Sequence, residues 1–166
     1  MRALALFAAL SILSAAPSLA QQNVGIALTN VISSTLAVNC GFDCNNPNNT
    51  GRVTGTVGQT FDVRLYGDAG LPGVVAIGLG PVSLACPGVV LPGIQNGLMI
   101  NPGALLATAT TPGLAPGSRT CSASGSVIAV SLNIPAVASG LVLTVQGLVF
   151  DAAQPTFTRA VDLTVR

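Results

Sequence analysis

The chain contains no lysine, glutamate, histidine or tryptophan. Each absence removes a class of function. Without histidine or lysine, none of the many Ser and Thr hydroxyls has the usual base that would make it a nucleophile. Without glutamate, acid–base work by paired carboxylates falls to Asp43, Asp62, Asp68, Asp151 and Asp162, which do not cluster in sequence. Without tryptophan, the planar platforms on which sugars stack reduce to Tyr66 and a few Phe. Arg52, Arg64, Arg119, Arg159 and Arg166 balance the five Asp, so no basic stripe exists for nucleic acid or an anionic membrane. This inventory points away from a self-contained enzyme, and it calls for no cofactor.

What the chain has in abundance is apolar residues, 50% of the total against 7% charged. Clustered, they would indicate a membrane protein. They cluster only at the start, where Met1-Arg2 precedes an apolar run from Ala3 to Ala16 and then Pro17-Ser18-Leu19-Ala20-Gln21. A charged start, an apolar centre and small residues before a polar one form the layout of a secretory signal peptide. The run is shorter than the ~20 apolar residues a membrane span needs. Residues 1–20 are therefore expected to be a cleaved leader and residues 21–166 one exported domain, secreted, periplasmic or extracellular. After cleavage no membrane span is expected, because Gly, Pro, Ser and Thr break every later apolar run.

Cys40, Cys44, Cys86 and Cys121 all follow the leader. An even cysteine count in an oxidising compartment reads as disulfides, and four cysteines allow three pairings. Cys40 with Cys44 and Cys86 with Cys121 is the favoured set. A zinc site is the weaker reading, since Cys86 and Cys121 do not form a close pair. Between Cys40 and Thr50 lies the most polar stretch, with Asp43, Asn45 and Asn48 as weak candidates for calcium, a cation that takes oxygen ligands. One carboxylate is thin support, and a solvated turn held by a disulfide explains the stretch as well. No other metal site is expected.

The dominant period is two. Large residues alternate with small or polar ones over residues 24–38, at Phe61/Val63/Leu65, at Ile128/Val130/Leu132/Ile134 and at Val161/Leu163/Val165. Alternation places successive side chains on opposite faces of a strand. By the same logic Asp62, Arg64 and Asp162 fall on outward faces, where they would serve solubility. Residues 141–150 are apolar at most positions, as in a strand covered on both faces. Turn signals separate the runs: Gly70-Leu71-Pro72-Gly73, Cys86-Pro87-Gly88, Leu91-Pro92-Gly93, Asn101-Pro102-Gly103 and Thr111-Pro112-Gly113. Residues 103–108 offer one helical turn at most, and residues 86–124 read as an irregular excursion over one end. The expected fold is all-β, a single antiparallel β-sandwich, Ig-like or jelly-roll-like, stabilised by disulfides.

The run Gly58-Gln59-Thr60-Phe61-Asp62-Val63-Arg64-Leu65-Tyr66-Gly67, with Gly78-Leu79-Gly80, Ile134-Pro135, Gly140-Leu141 and Val145-Gln146-Gly147, resembles a small secreted bacterial module. That module is found in planctomycete- and myxobacteria-like exported proteins. The resemblance covers roughly residues 58–165 and implies a β-sandwich of exported location. It carries over no catalytic residue.

Two functional expectations follow. The first is a structural or interaction protein of the cell envelope or extracellular space, acting through sheet faces and edges, with itself or other envelope proteins as partner. Strand edges are templates for pairing that proteins often guard with lysine, and this chain has none. Residues 24–38 could be such a strand, given to a neighbour or kept as the first strand of its own domain. The alternative is an extracellular glycan- or calcium-binding module using residues 43–50.

Overall fold

The computed structural model describes residues 24–30, 34–40, 51–68, 70–82, 84–113, 127–150 and 154–166, with the backbone alone for 34–40 and 127–129. The protein is all-β. Two sheets enclose a shared apolar centre, and no helix among the described residues is long and apolar enough to cross a membrane.

The first sheet contains β1 (Gly25–Asn30), β2 (Ser34–Cys40), β4 (Thr60–Tyr66) and β9 (Val127–Asn133), in the order β2-β1-β4-β9. The second contains β3 (Gly51–Gly55), β5 (Gly73–Leu79), β8 (Leu105–Thr111), β10 (Val142–Phe150) and β11 (Pro155–Val165), in the order β3-β11-β10-β5-β8. A two-stranded ribbon of β6 (Val89–Val90) and β7 (Gly97–Leu98) completes the described strands.

The alternating rows turn inward as their period requires. Ile26 and Leu28 from β1, Phe61, Val63 and Leu65 from β4, and Val161, Leu163 and Val165 from β11 are almost wholly removed from solvent. Val75 and Ile77 of β5 and Val145 and Val149 of β10 complete the opposing layer. Each such side chain contributes about 1.5–3 kcal/mol by leaving water. Val130 and Leu132 of β9 pack against this cluster, and Ile134 and Ala138 close one end of it.

Four expectations need correction. The alternating run 24–38 is two strands, since β1 pairs antiparallel with β2 from Gly25↔Cys40 to Asn30↔Ser34. β1 also pairs with β4 along its other side, so it is an interior strand of its own sheet. The even-numbered large residues of the sequence continue past the turn and hide it, although the register sets Ile26 opposite Asn39 and Leu28 opposite Ala37. Second, the fold is not purely antiparallel: β3 runs parallel to β11, from Val161↔Gly51 to Val165↔Gly55. β3 joins the second sheet at its open margin, where no tight turn dictates direction. Third, the excursion holds a strand that the sequence reading did not mark: the one turn allowed within residues 103–108 is the 3-10 turn at Pro102–Ala104, and β8 follows it directly. The β-branched threonines of Ala107-Thr108-Ala109-Thr110-Thr111 favour the strand.

The fourth correction concerns the excursion. Its described part lies across the outer face of the five-stranded sheet rather than over an end. Beyond β5 the chain crosses to β11, where Gln95 N–H donates to the Pro155 carbonyl at 2.8 Å and Phe157 N–H donates to the Gln95 carbonyl at 3.0 Å. It then returns through β7 to β8. One glycine permits the close approach to the sheet, and another lets the excursion close on itself. A Cβ on Gly97 would lie 1.6 Å from the Pro87 oxygen, and one on Gly78 would lie 2.5 Å from Cγ2 of Ile100. This covering explains why β10 is buried on both faces. Cys86 is not a free thiol. The other three cysteine side chains, and with them the expected pairings, lie outside the described residues.

Phe61 sits at the centre of the shared core. Phe61→Ala should lower the unfolding free energy by about 3–5 kcal/mol in chemical denaturation. Val137→Ala, at a side chain 88% exposed, should stay within about 0.5 kcal/mol of the parent chain.

Candidate functional site

The polar side chains that could carry chemistry are tied into the fold. Asp62 projects from the outer face of β4, opposite the inward Phe61 and Val63, and accepts a hydrogen bond from the Ser131 hydroxyl of β9. Arg64, two residues on, donates from Nε to Thr29 Oγ1 of β1 at 3.3 Å. The two charges thus reach toward strands on opposite sides of β4. Asp62 is buried, not displayed to solvent as the alternation suggested.

Asp162 overturns the solvent-facing reading more fully, being 6% exposed. Its Oδ1 accepts from Val82 N–H at 3.0 Å and from Thr144 Oγ1 at 2.7 Å. The Thr144 hydroxyl also approaches the Gly80 carbonyl at 2.7 Å. The carboxylate fastens the chain leaving β5 to the sheet below it. Period two says which face Asp162 occupies, but not what covers that face.

Gln146 is the second fastening, one that the alternation does not single out. Its side chain is 1% exposed. Oε1 accepts from Met99 N–H at 2.8 Å, while Nε2 donates to the carbonyls of Gly97 and Thr158, both at 2.9 Å. One amide therefore satisfies three backbone groups that the returning excursion and β11 leave unpaired. Asn96 adds a donor, from Nδ2 to the Phe157 carbonyl at 2.8 Å. The only early hint was a lone Gln inside an apolar run.

These groups do not converge. Asp62 belongs to one sheet and Asp162 to the other, each on its outward face, so the two carboxylates cannot work as a pair. Among the described residues no cluster of three or more His, Cys, Asp or Glu could hold a metal ion. Asp43, Asn45, Asn48, Cys44 and Cys121 lie outside the described residues, as does the side chain of Cys40, and Cys86 is partly buried near β6. Of the described aromatics, Tyr66, Phe61 and Phe157 are buried in the body of the protein, and Phe150 is half-buried at the end of β10.

Arg52 and Arg166 are exposed charges, while the accessible surface of the described residues between 70 and 113 is uncharged. β8 is exposed along most of its length, with Leu105 46% and Leu106 57% exposed, and it ends the order of the second sheet among the described residues. Its far end is held by Thr111, whose buried Oγ1 accepts from Gly73 N–H at 3.0 Å. Leu79 and Leu141 are exposed at neighbouring strand ends. The sequence from residue 69 to residue 118 contains no charged side chain. Comparison with protein-family models, curated proteins and solved structures finds no match for the chain.

Gln146→Leu should leave Met99 N–H and the Gly97 and Thr158 carbonyls without their partner. Each group that stays dry costs about 1–3 kcal/mol. Amide hydrogen exchange should accelerate at Met99 while amides of β4 keep their protection, because the excursion is held from outside the core.

Proposed function

We propose that the protein is an exported structural or interaction protein of the cell envelope or extracellular space, working through its sheet faces and edges. The observation that carries this reading is the division of its surface. Polar groups with chemical potential are consumed inside the fold, while an uncharged strand stands exposed at a sheet margin. Contacts through backbone and small side chains are what such a surface offers.

The strand order supports a finer assignment of architecture, an immunoglobulin-like sandwich rather than a jelly roll. In chain order β4, β5, β8, β9, β10 and β11 take the places of strands B, C, C′, E, F and G. B and E share one sheet, and the other four share the second. A disulfide from Cys86 to Cys121 fits the same picture, tying the excursion to the segment that follows β8. By the loop-entropy estimate such a bridge stabilises the fold by about 4 kcal/mol. Peptide mapping of the unreduced protein should return residues 86 and 121 in one linked fragment. A linkage of Cys86 to Cys40 or Cys44 would overturn that pairing.

The functional reading is tested on the chain beginning at Gln21, purified from the exported fraction. Sedimentation velocity over a concentration series and pull-down from an envelope extract should give concentration-dependent association or a specific partner. A protein that stays monomeric, draws no partner and turns over a substrate in a hydrolase panel would overturn it.

A further inference from the structure

The sequence contains a single Asn-Gly pair, Asn96-Gly97, and the fold constrains both members. Asn96 lies at φ 63°, in the left-handed region that asparagine and glycine enter and most residues avoid. Gly97 has no room for a side chain, since a Cβ there would lie 1.6 Å from the Pro87 oxygen. The same pair is chemically labile. A backbone nitrogen can attack the side-chain carbon of the asparagine before it, and glycine sets nothing in the way. Other asparagines are better guarded. Pro102 after Asn101 has no N–H to attack with, and the β-branched Val31 and Ile134 crowd the positions after Asn30 and Asn133.

In the folded chain the attack is held back. Asn96 Nδ2 donates to the Phe157 carbonyl at 2.8 Å, and buried Gly97 gives its carbonyl to Gln146 Nε2 at 2.9 Å. One residue earlier, Gln95 bridges to Thr156 of β11. Both members of the pair come free when the excursion lifts from β10 and β11. That is a local opening, because these contacts lie outside the core between the sheets.

We infer that Asn96 is a self-modification site that converts when the excursion lifts and then loosens the excursion irreversibly. The Gly97 nitrogen bonds to Cγ of Asn96, the Cγ–Nδ2 bond breaks, and Nδ2 leaves as ammonia with the Gly97 amide proton. Water then opens the succinimide ring. Opening at Cγ gives aspartate; opening at the main-chain carbonyl gives isoaspartate, whose backbone is longer by a methylene. Nothing is oxidised or reduced. Aspartate replaces the donor facing the Phe157 carbonyl with a carboxylate that repels it, and brings the first charge into residues 69–118. Isoaspartate also lengthens the chain between the Gln95 bridge and β7. The inference is independent of the envelope reading and of any self-association.

The test incubates the chain beginning at Gln21 in mildly alkaline buffer, folded and in denaturant. Peptide mapping that separates amide, aspartate and isoaspartate follows residue 96. Both acids should accumulate there ahead of residues 101 and 133, and faster in denaturant. Gln146→Leu removes the bond that holds Gly97 and should speed conversion of the folded chain at least about tenfold, with β4 amides still protected from exchange. Asn96→Asp installs one product directly, so it should hasten hydrogen exchange at Met99 even though Gln146 is intact. Conversion equally fast in the parent and Gln146→Leu, or an Asn96 that keeps its amide in denaturant, would overturn the inference. Unchanged Met99 exchange in Asn96→Asp would overturn it as well, whatever the behaviour of Gln146→Leu.

Discussion

A sheet buried on both faces imposes a demand that its neighbour does not share. Every polar group on the second covered face must find a partner within the protein, because water no longer reaches it. In the five-stranded sheet that demand is met by Gln146 and Asp162, which hold the excursion across β10 and β11. The consequences spread from there. Gly78 leaves room for Ile100 where the excursion lies on the sheet, and Gly97 leaves room for Pro87 within the excursion itself. β8, reached only after the long crossing, pairs beside β5 and takes one of the sheet's two outermost places, β3 holding the other. The exposed margin is thus a product of the covering that hides the opposite end of the same sheet.

Much of the core was legible in the sequence. Phe61, Val63 and Leu65, and likewise Val161, Leu163 and Val165, alternate so regularly that only an inward face could receive them. The stretch 141–150, apolar at most positions, also announced a strand covered twice. What periodicity could not disclose was the identity of the cover. Asp162 and Gln146 both stand one step from core residues, so their parity marks them as outward, and outward usually means wet. Here it means beneath another segment, a tertiary fact that no local pattern encodes.

The same limit explains the two errors of strand assignment. Large residues fall on even positions throughout 24–38, so the sequence marks no break, yet the strands pair with Ile26 opposite Asn39 and Leu28 opposite Ala37. β8 has only alanine, threonine and two leucines to advertise itself, and the preceding proline and glycine suggested a helical turn. Of the candidate site, the sequence indicated the kind of surface, uncharged and free of catalytic bases, through what it lacked. It did not indicate the place, because an exposed margin is a property of strand order. Strand order emerges only when β5 and β8 are joined by the crossing segment.

The uncharged stretch from residue 69 to residue 118 has a bearing on the medium in which the protein can work. Contacts between charged surfaces fade as ionic strength rises, since mobile ions screen them within a few ångströms. A margin made of backbone amides, methyls and hydroxyls has nothing to screen. A contact made through it would therefore change little between dilute fresh water and brine.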